Sequence, residues 1–252
     1  MSRTKKALLF TLALLPVALV AGYFTARYTV KLLDPALLQQ AIAQLGSEKM
    51  LMAVSIVQAV LYALVCGFFG YILSDKLGLM RPLRFEKKPL FLTLIASVVC
   101  GAVLSLDAWT FGKWIPEIGV SYAGAGTFDV DVWITSILYG GIIEEVMLRL
   151  FCMSLIALLL WKLFFRKRET VPTGVLIIAN VAAALLFAAG HLPVTASTFG
   201  TLTLMLLLRC FLLNGAFGLL FGRLYRKYGI QYAMLSHAML HIVSRMIWFI
   251  AF

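Results

Sequence analysis

VWITSILYGGIIEEVMLRLFCMSLIALLL, Val132 to Leu160, is almost wholly apolar yet carries Glu144, Glu145 and Arg149 near its middle. A membrane-crossing helix needs about 20 mostly apolar residues to span roughly 30 Å of hydrocarbon. This run is longer than that, so it is expected to tilt or break. Ionisable side chains inside a bilayer cost about 2.5 kcal/mol or more each, and they rarely persist unless paired or used. One stretch therefore announces both a membrane helix and a buried polar site.

Composition agrees with that reading. Of 252 residues, 62% are hydrophobic and 13% charged, and mean hydropathy is +0.97; a soluble domain has about a quarter of its residues charged. The chain reads as an all-α polytopic membrane protein, a bundle of about seven transmembrane helices forming a single integral membrane domain over residues 1–252. A spanning β-barrel would need alternating strands of about ten residues, and the apolar runs here are longer and continuous. The predicted spans are Ala7 to Phe24, Met50 to Leu73, Leu90 to Ala108, Val132 to Leu160, Gly174 to Gly190, Thr198 to Phe221 and Ile230 to Phe252. Leu32 to Gly46, with Asp34-Pro35 at its start, is too polar to span and reads as one interfacial amphipathic helix. Cys66, Cys100, Cys152 and Cys210 lie far apart inside apolar spans, without CxxC or zinc-ligand spacing, and read as structural thiols.

The net charge of +11 does not point to nucleic acid, because the basic residues gather in short loops between spans. With the N-terminus inside, the inner loops hold fifteen of the 22 Lys and Arg residues, against Arg27, Lys31, Lys49 and Lys113 outside. That asymmetry predicts N-terminus in and C-terminus out, in a membrane expected to be a bacterial cytoplasmic one. The basic start and apolar first run also have signal-peptide character, with small residues near Ala18 and Ala21; a retained first helix is the reading adopted. The stretch from Trp109 to Asp131, with Asp107, Glu117, Asp129 and Asp131 in or beside it, is expected to be a solvated outer loop, or else an acidic entry for a basic peptide.

Glu145 and Arg149 are four apart, on one helical face and in the favourable acid-before-base order. They fit either a purely structural ion pair or part of a site. Glu144 points about 100° away, a second carboxylate of the kind a general base requires. His237 and His241 also share one face, and His191 closes the fifth span. Helix-bridging hydrogen bonds and a shared catalytic cluster both account for these imidazoles. Asn180 lies on the stripe of His191 and reads as a supporting partner or a packing amide. Arg209, Asn214 and Arg245 are further intramembrane polar residues; Arg209 is expected to pair with a carboxylate or a substrate group. Gly215, Gly218 and Gly222 have the spacing of close helix packing.

The three segments Glu144-Glu145-xxx-Arg149, Phe187-xxx-His191 and His237-xxx-His241, in this order and each on its own span, resemble the motifs of the CPBP family. That family comprises CAAX prenyl endopeptidases of the farnesylated-protein converting type and their bacterial, abortive-infection-like relatives. The resemblance covers the C-terminal half, with a motif-bearing core at 132–252. It implies an intramembrane endopeptidase acting on a peptide or membrane-protein substrate within the lipid bilayer. Glu144 would activate water, Glu145 and Arg149 would support it, and His191 and His237 would stabilise the oxyanion or orient the water. The third motif usually ends in Asn or Asp, and here it ends in His241, whose N–H can replace an amide donor. Three histidines with Glu144 also match zinc ligand chemistry, so Glu144, His191, His237 and His241 are candidate ligands of a divalent metal such as zinc. The HEXXH signature is absent. Two other classes compete: an inactive scaffold or immunity-type protein of the same fold, favoured by His241, and a cation transporter, which would lead one to expect an inverted repeat that this sequence lacks.

Depth strains this picture. At about 1.5 Å per residue, Glu144 lies roughly 27 Å from the inner end near Lys162, and His237 and His241 roughly 15 and 21 Å from Lys227. On the same ruler His191 falls roughly 33 Å from Glu169, near the outer surface. Straight helices do not bring it level with the others, and an outer site weighs against CAAX processing more than against peptidase activity.

Overall fold

The computed structural model describes residues 1–118 and 127–251. It is a helical bundle, with no strand among the described residues. The helices are α1 (Arg3–Leu32), α2 (Pro35–Leu45), α3 (Glu48–Lys76), α4 (Lys87–Ser105), α5 (Val130–Phe164), α6 (Thr173–Gly190), α7 (Leu192–Phe199), α8 (Leu204–Tyr228) and α9 (Ile230–Ala251). Seven of them are long and apolar enough to cross a membrane. Their outward faces carry exposed Leu61, Phe69, Phe91, Val99, Leu186 and Ile250, an apolar belt that lipid accommodates and water would not.

Local chemistry sets the ends. Ser2 caps α1 by accepting from the Lys5 amide, and Ser47 caps α3 by accepting from Met50. Asp34 caps α2, Pro35 opens it, and Gly46 at φ +88° closes it. The interfacial helix is thus Pro35–Leu45, without a buried residue. The sixth span begins later than its hydropathy suggests: Thr198 belongs to the short α7, Gly200 at φ +79° ends that helix, and the crossing starts at Leu204. Hydropathy averages over such a break because its flanks are apolar. Phe252 and residues 119–126, part of the expected outer loop, lie outside the described residues.

Helices have no hydrophobic drive toward each other in lipid, so small residues that allow close approach decide the contacts. A Cβ at Gly22 would stand 2.9 Å from Ile56 Cα, joining α1 to α3, and one at Gly101 would stand 2.6 Å from Val243 Cβ, joining α4 to α9. At the motif itself, a Cβ on Gly141 would stand 2.7 Å from Ala238 Cβ. That contact sets the Glu145 turn of α5 beside the His237 turn of α9. Most of this α5 stretch, Thr135–Glu144 and Val146–Met153, has the wide π-type turn, a rare geometry frequently found at functional sites.

Candidate active site

Glu145 is the hub. Its Oε1 forms an ion pair with Arg149 Nη1 at 3.0 Å and accepts from His237 Nδ1 at 2.9 Å, and Glu145 and Arg149 are both 0% exposed. The Arg149 guanidinium lies 4.5 Å from the Phe187 ring centroid and 5.4 Å from that of Phe221. A desolvated cation over two aromatic faces is held more firmly than by its carboxylate alone. Phe221 also stacks on His237, with centroids 4.6 Å apart and planes 19° apart. Gly218 leaves the room this needs, since a Cβ there would meet Arg149 Nη2 at 2.9 Å.

His191 joins through Phe187. The two rings meet edge to face at 4.7 Å, and Phe187 meets His237 at 5.7 Å. His191 is therefore level with the rest, correcting the straight-helix ruler. The reason is that α6 starts at Thr173, four residues after the Glu169 end used for counting, which shortens the ruler by about 6 Å. His237 and His241 lie 5.1 Å apart between centroids. A Cβ at Gly140 would be 3.6 Å from His237 Nε2 and 3.5 Å from His241 Nε2, so both edges face that glycine. Glu144 follows it by four residues and is half-buried. Among the described residues Glu144 makes no hydrogen bond or ion pair.

Hydrogen bonding assigns the imidazole protons. His191 Nδ1 lies 2.8 Å from the Phe187 carbonyl. A carbonyl only accepts, so Nδ1 carries the hydrogen and neutral His191 presents a lone pair at Nε2. The same logic gives His237 an Nδ1–H toward the Glu145 carboxylate. These two histidines thus offer acceptors when neutral and donors at Nε2 only as imidazolium.

Beside His191 and His241 opens a cavity of ≈ 570 Å³, also lined by Tyr28, Trp133, Arg209, Asn214 and Arg245. Arg209 Nε donates to both oxygens of Asp107 at 2.9 Å, which names its carboxylate. Asp131, 0% exposed, pairs with Arg27 at 2.8 Å and Lys31 at 2.5 Å. Asp107 and Asp131 are thus buried and neutralised within the chain, and neither the solvated nor the peptide-admitting account holds for them. Asn180 is a packing amide: Nδ2 donates to the Leu219 carbonyl at 3.0 Å, away from His191. Among the described residues no three His, Cys, Asp or Glu side chains are grouped so as to hold a metal ion. Glu144, His191, His237 and His241 do not form such a group in this arrangement.

Residues 127–243 match the family model of the type II CAAX prenyl endopeptidase Rce1-like proteins. The match supports CPBP family membership over these residues. The matched segment holds all six motif residues, Glu144, Glu145, Arg149, His191, His237 and His241, in the order of the CPBP motifs. No curated protein and no solved structure matches the chain. In this chain, Phe221 and the cavity-lining Tyr28, Trp133 and Trp248 were not legible as site residues. The only trace of Phe221 is its place between Gly218 and Gly222; the other three look like ordinary apolar or interfacial aromatics.

Proposed function

We propose that the protein is an intramembrane endopeptidase that hydrolyses a peptide bond in a peptide or membrane-associated protein. The observation that carries this is the convergence of three motifs from different helices on one buried cluster beside a cavity. Glu144, the carboxylate without an ion-pair partner among the described residues, is the proposed base: it takes a proton from water as the oxygen attacks the carbonyl carbon. His191 Nε2, an acceptor in its neutral form, orients that water. The oxyanion is met by an N–H of His241, and neutral His237, an acceptor at Nε2, joins His191 in orienting the water. Collapse of the tetrahedral intermediate breaks the C–N bond, and the Glu144 proton passes to the leaving amine. Glu145 and Arg149 hold His237 in place and touch no reacting atom. The basic loops support an orientation with the N-terminus in the cytoplasm and the C-terminus outside, in a bacterial cytoplasmic membrane.

The test is cleavage of a fluorogenic peptide library and of co-purifying membrane proteins by wild type, Glu144→Ala and His237→Ala. Loss of cleavage in both variants with unchanged melting of Glu144→Ala is expected. Equal activity in all three would end this reading.

A further inference from the structure

At the opposite end of α9 from the large cavity, a second cavity of ≈ 230 Å³ lies between loop 77–86 and the α8–α9 joint. Gly229 builds it. Its φ is +114°, and a Cβ there would strike Gln231 Oε1 at 2.6 Å and Arg81 Cβ at 3.0 Å. The glycine therefore lets the loop close over the joint. Gln231 Nε2 donates to the carbonyls of Pro82 at 3.0 Å and Arg84 at 3.1 Å, and the Glu86 amide donates to Tyr232 Oη at 2.7 Å. Because both carbonyls need a donor, the amide orientation is determined and Oε1 is the acceptor. Gln231 is 9% exposed, and among the described residues its buried Oε1 accepts no hydrogen bond. A buried acceptor left in this state is costly, and a ligand hydroxyl would satisfy it.

The rest of the lining is cationic. Arg81, Arg84 and Lys227 face one carboxylate, Glu86, which pairs with Arg84 at 3.4 Å. Arg81 and Lys227 are exposed, with no carboxylate partner among the described residues. Leu83 and Phe85, 61% and 54% exposed, alternate with these charges, and Tyr228 and Tyr232 stand at the same level. Exposed apolar side chains and tyrosines beside cations mark a loop seated among lipid headgroups.

We propose that this cavity binds the headgroup of an anionic phospholipid bearing a hydroxyl, its phosphate held by Arg81 and Lys227 and its hydroxyl donating to Gln231 Oε1. Basic recesses between helices on the positively charged side of a membrane protein suit such headgroups. The site is independent of the endopeptidase reading.

The test uses the purified protein in phosphatidylcholine nanodiscs, with phosphatidylglycerol or phosphatidylethanolamine added, or with glycerol 3-phosphate in solution. Phosphatidylglycerol is expected to raise the melting temperature and to survive as one retained lipid in native mass spectrometry. Both effects should vanish in Arg81→Gln/Lys227→Gln. They should persist in Arg166→Gln/Lys167→Gln, which removes the same charge outside the cavity. Equal loss in the two double variants would reduce the effect to general electrostatics and overturn the site. Equal stabilisation by phosphatidylethanolamine would overturn the anionic headgroup, and equal stabilisation by glycerol 3-phosphate would overturn the lipid.

Discussion

Glu145 and Arg149 offer a perturbation in which structure and chemistry separate. Both are fully buried and share a 3.0 Å contact, so removing one leaves the other charge uncompensated, at about 3–5 kcal/mol. Glu145→Gln strands the guanidinium between Phe187 and Phe221. Arg149→Met keeps the volume those rings pack on but strands the carboxylate with only His237. Replacing both removes both charges; exchanging a buried pair for well-packed hydrophobic residues is neutral to stabilising by about 1–4 kcal/mol, and the buried Gln amide forgoes part of that gain. The double variant is therefore expected to be more stable than either single one. Cleavage should not return with it, because His237 Nδ1 then faces an amide in place of a carboxylate, and the positioning of a catalytic imidazole is worth roughly 10²–10⁴ in rate. Unfolding in mixed micelles, followed by tryptophan fluorescence, measures the first quantity, and peptide cleavage by the same samples the second. A double variant that loses the sum of the single losses would refute the coupled-pair account. One that regained full cleavage would refute the role given to Glu145 in holding His237.

Three further outcomes follow from particular contacts. Gly222→Ala would put a Cβ 1.7 Å from Asn180 Oδ1 and displace the amide from Leu219. The expected loss is about 1–3 kcal/mol for overpacking plus about 1 kcal/mol for the bond, read by thermal unfolding, and Asn180→Ala in the same chain should recover the larger part. His241→Asn, which keeps an N–H donor, is expected to retain cleavage, and His241→Leu to abolish it; equal rates in the two would remove His241 from the oxyanion. Partial burial pushes the Asp129 carboxyl up, but hydrogen bonds from Lys31 and the Asp131 amide outweigh this and hold it below its ordinary value. A carboxyl lowered on folding stabilises fully above its unfolded value and loses that contribution as pH falls through the lowered one. The α1–α5 clasp should thus stay intact at neutral pH and loosen only in acid; hydrogen exchange of residues 27–32 would report it, and Asp129→Asn should flatten the dependence.

Much of the molecule was legible before any fold was known. The seven spans follow from uninterrupted apolar length, since a bilayer makes residue polarity a nearly complete guide to which segments cross it. The six motif residues stood out for the converse reason, being charged or titratable where charge is expensive. Gly218 and Gly222 likewise announced close packing, and a Cβ at either would meet a neighbour within 3 Å, whereas one at Gly215 would stand 4.0 Å from Ala188. Legibility ended where the partner lies far away in sequence. Nothing near Arg209 names Asp107, nothing near His237 names Phe221, and no hydropathy window separates α7 from the crossing at Leu204. Depth was misjudged for a related reason: the count for His191 began at Glu169, but α6 begins only at Thr173, a boundary that hydropathy does not mark.

The sequence by itself determined that this chain is a helical membrane protein with two carboxylates, an arginine and three histidines in its apolar interior, because polarity and spacing are local properties. Only the tertiary structure decided that Glu145, and not Glu144, joins Arg149 to His237. That choice depends on the close approach of α5 to α9 at Gly141 and Ala238 and on the turn geometry of α5. It leaves Glu144 without a hydrogen bond among the described residues and so open to take a proton. Such contacts are made between helices far apart in the chain, where spacing along one helix carries no information.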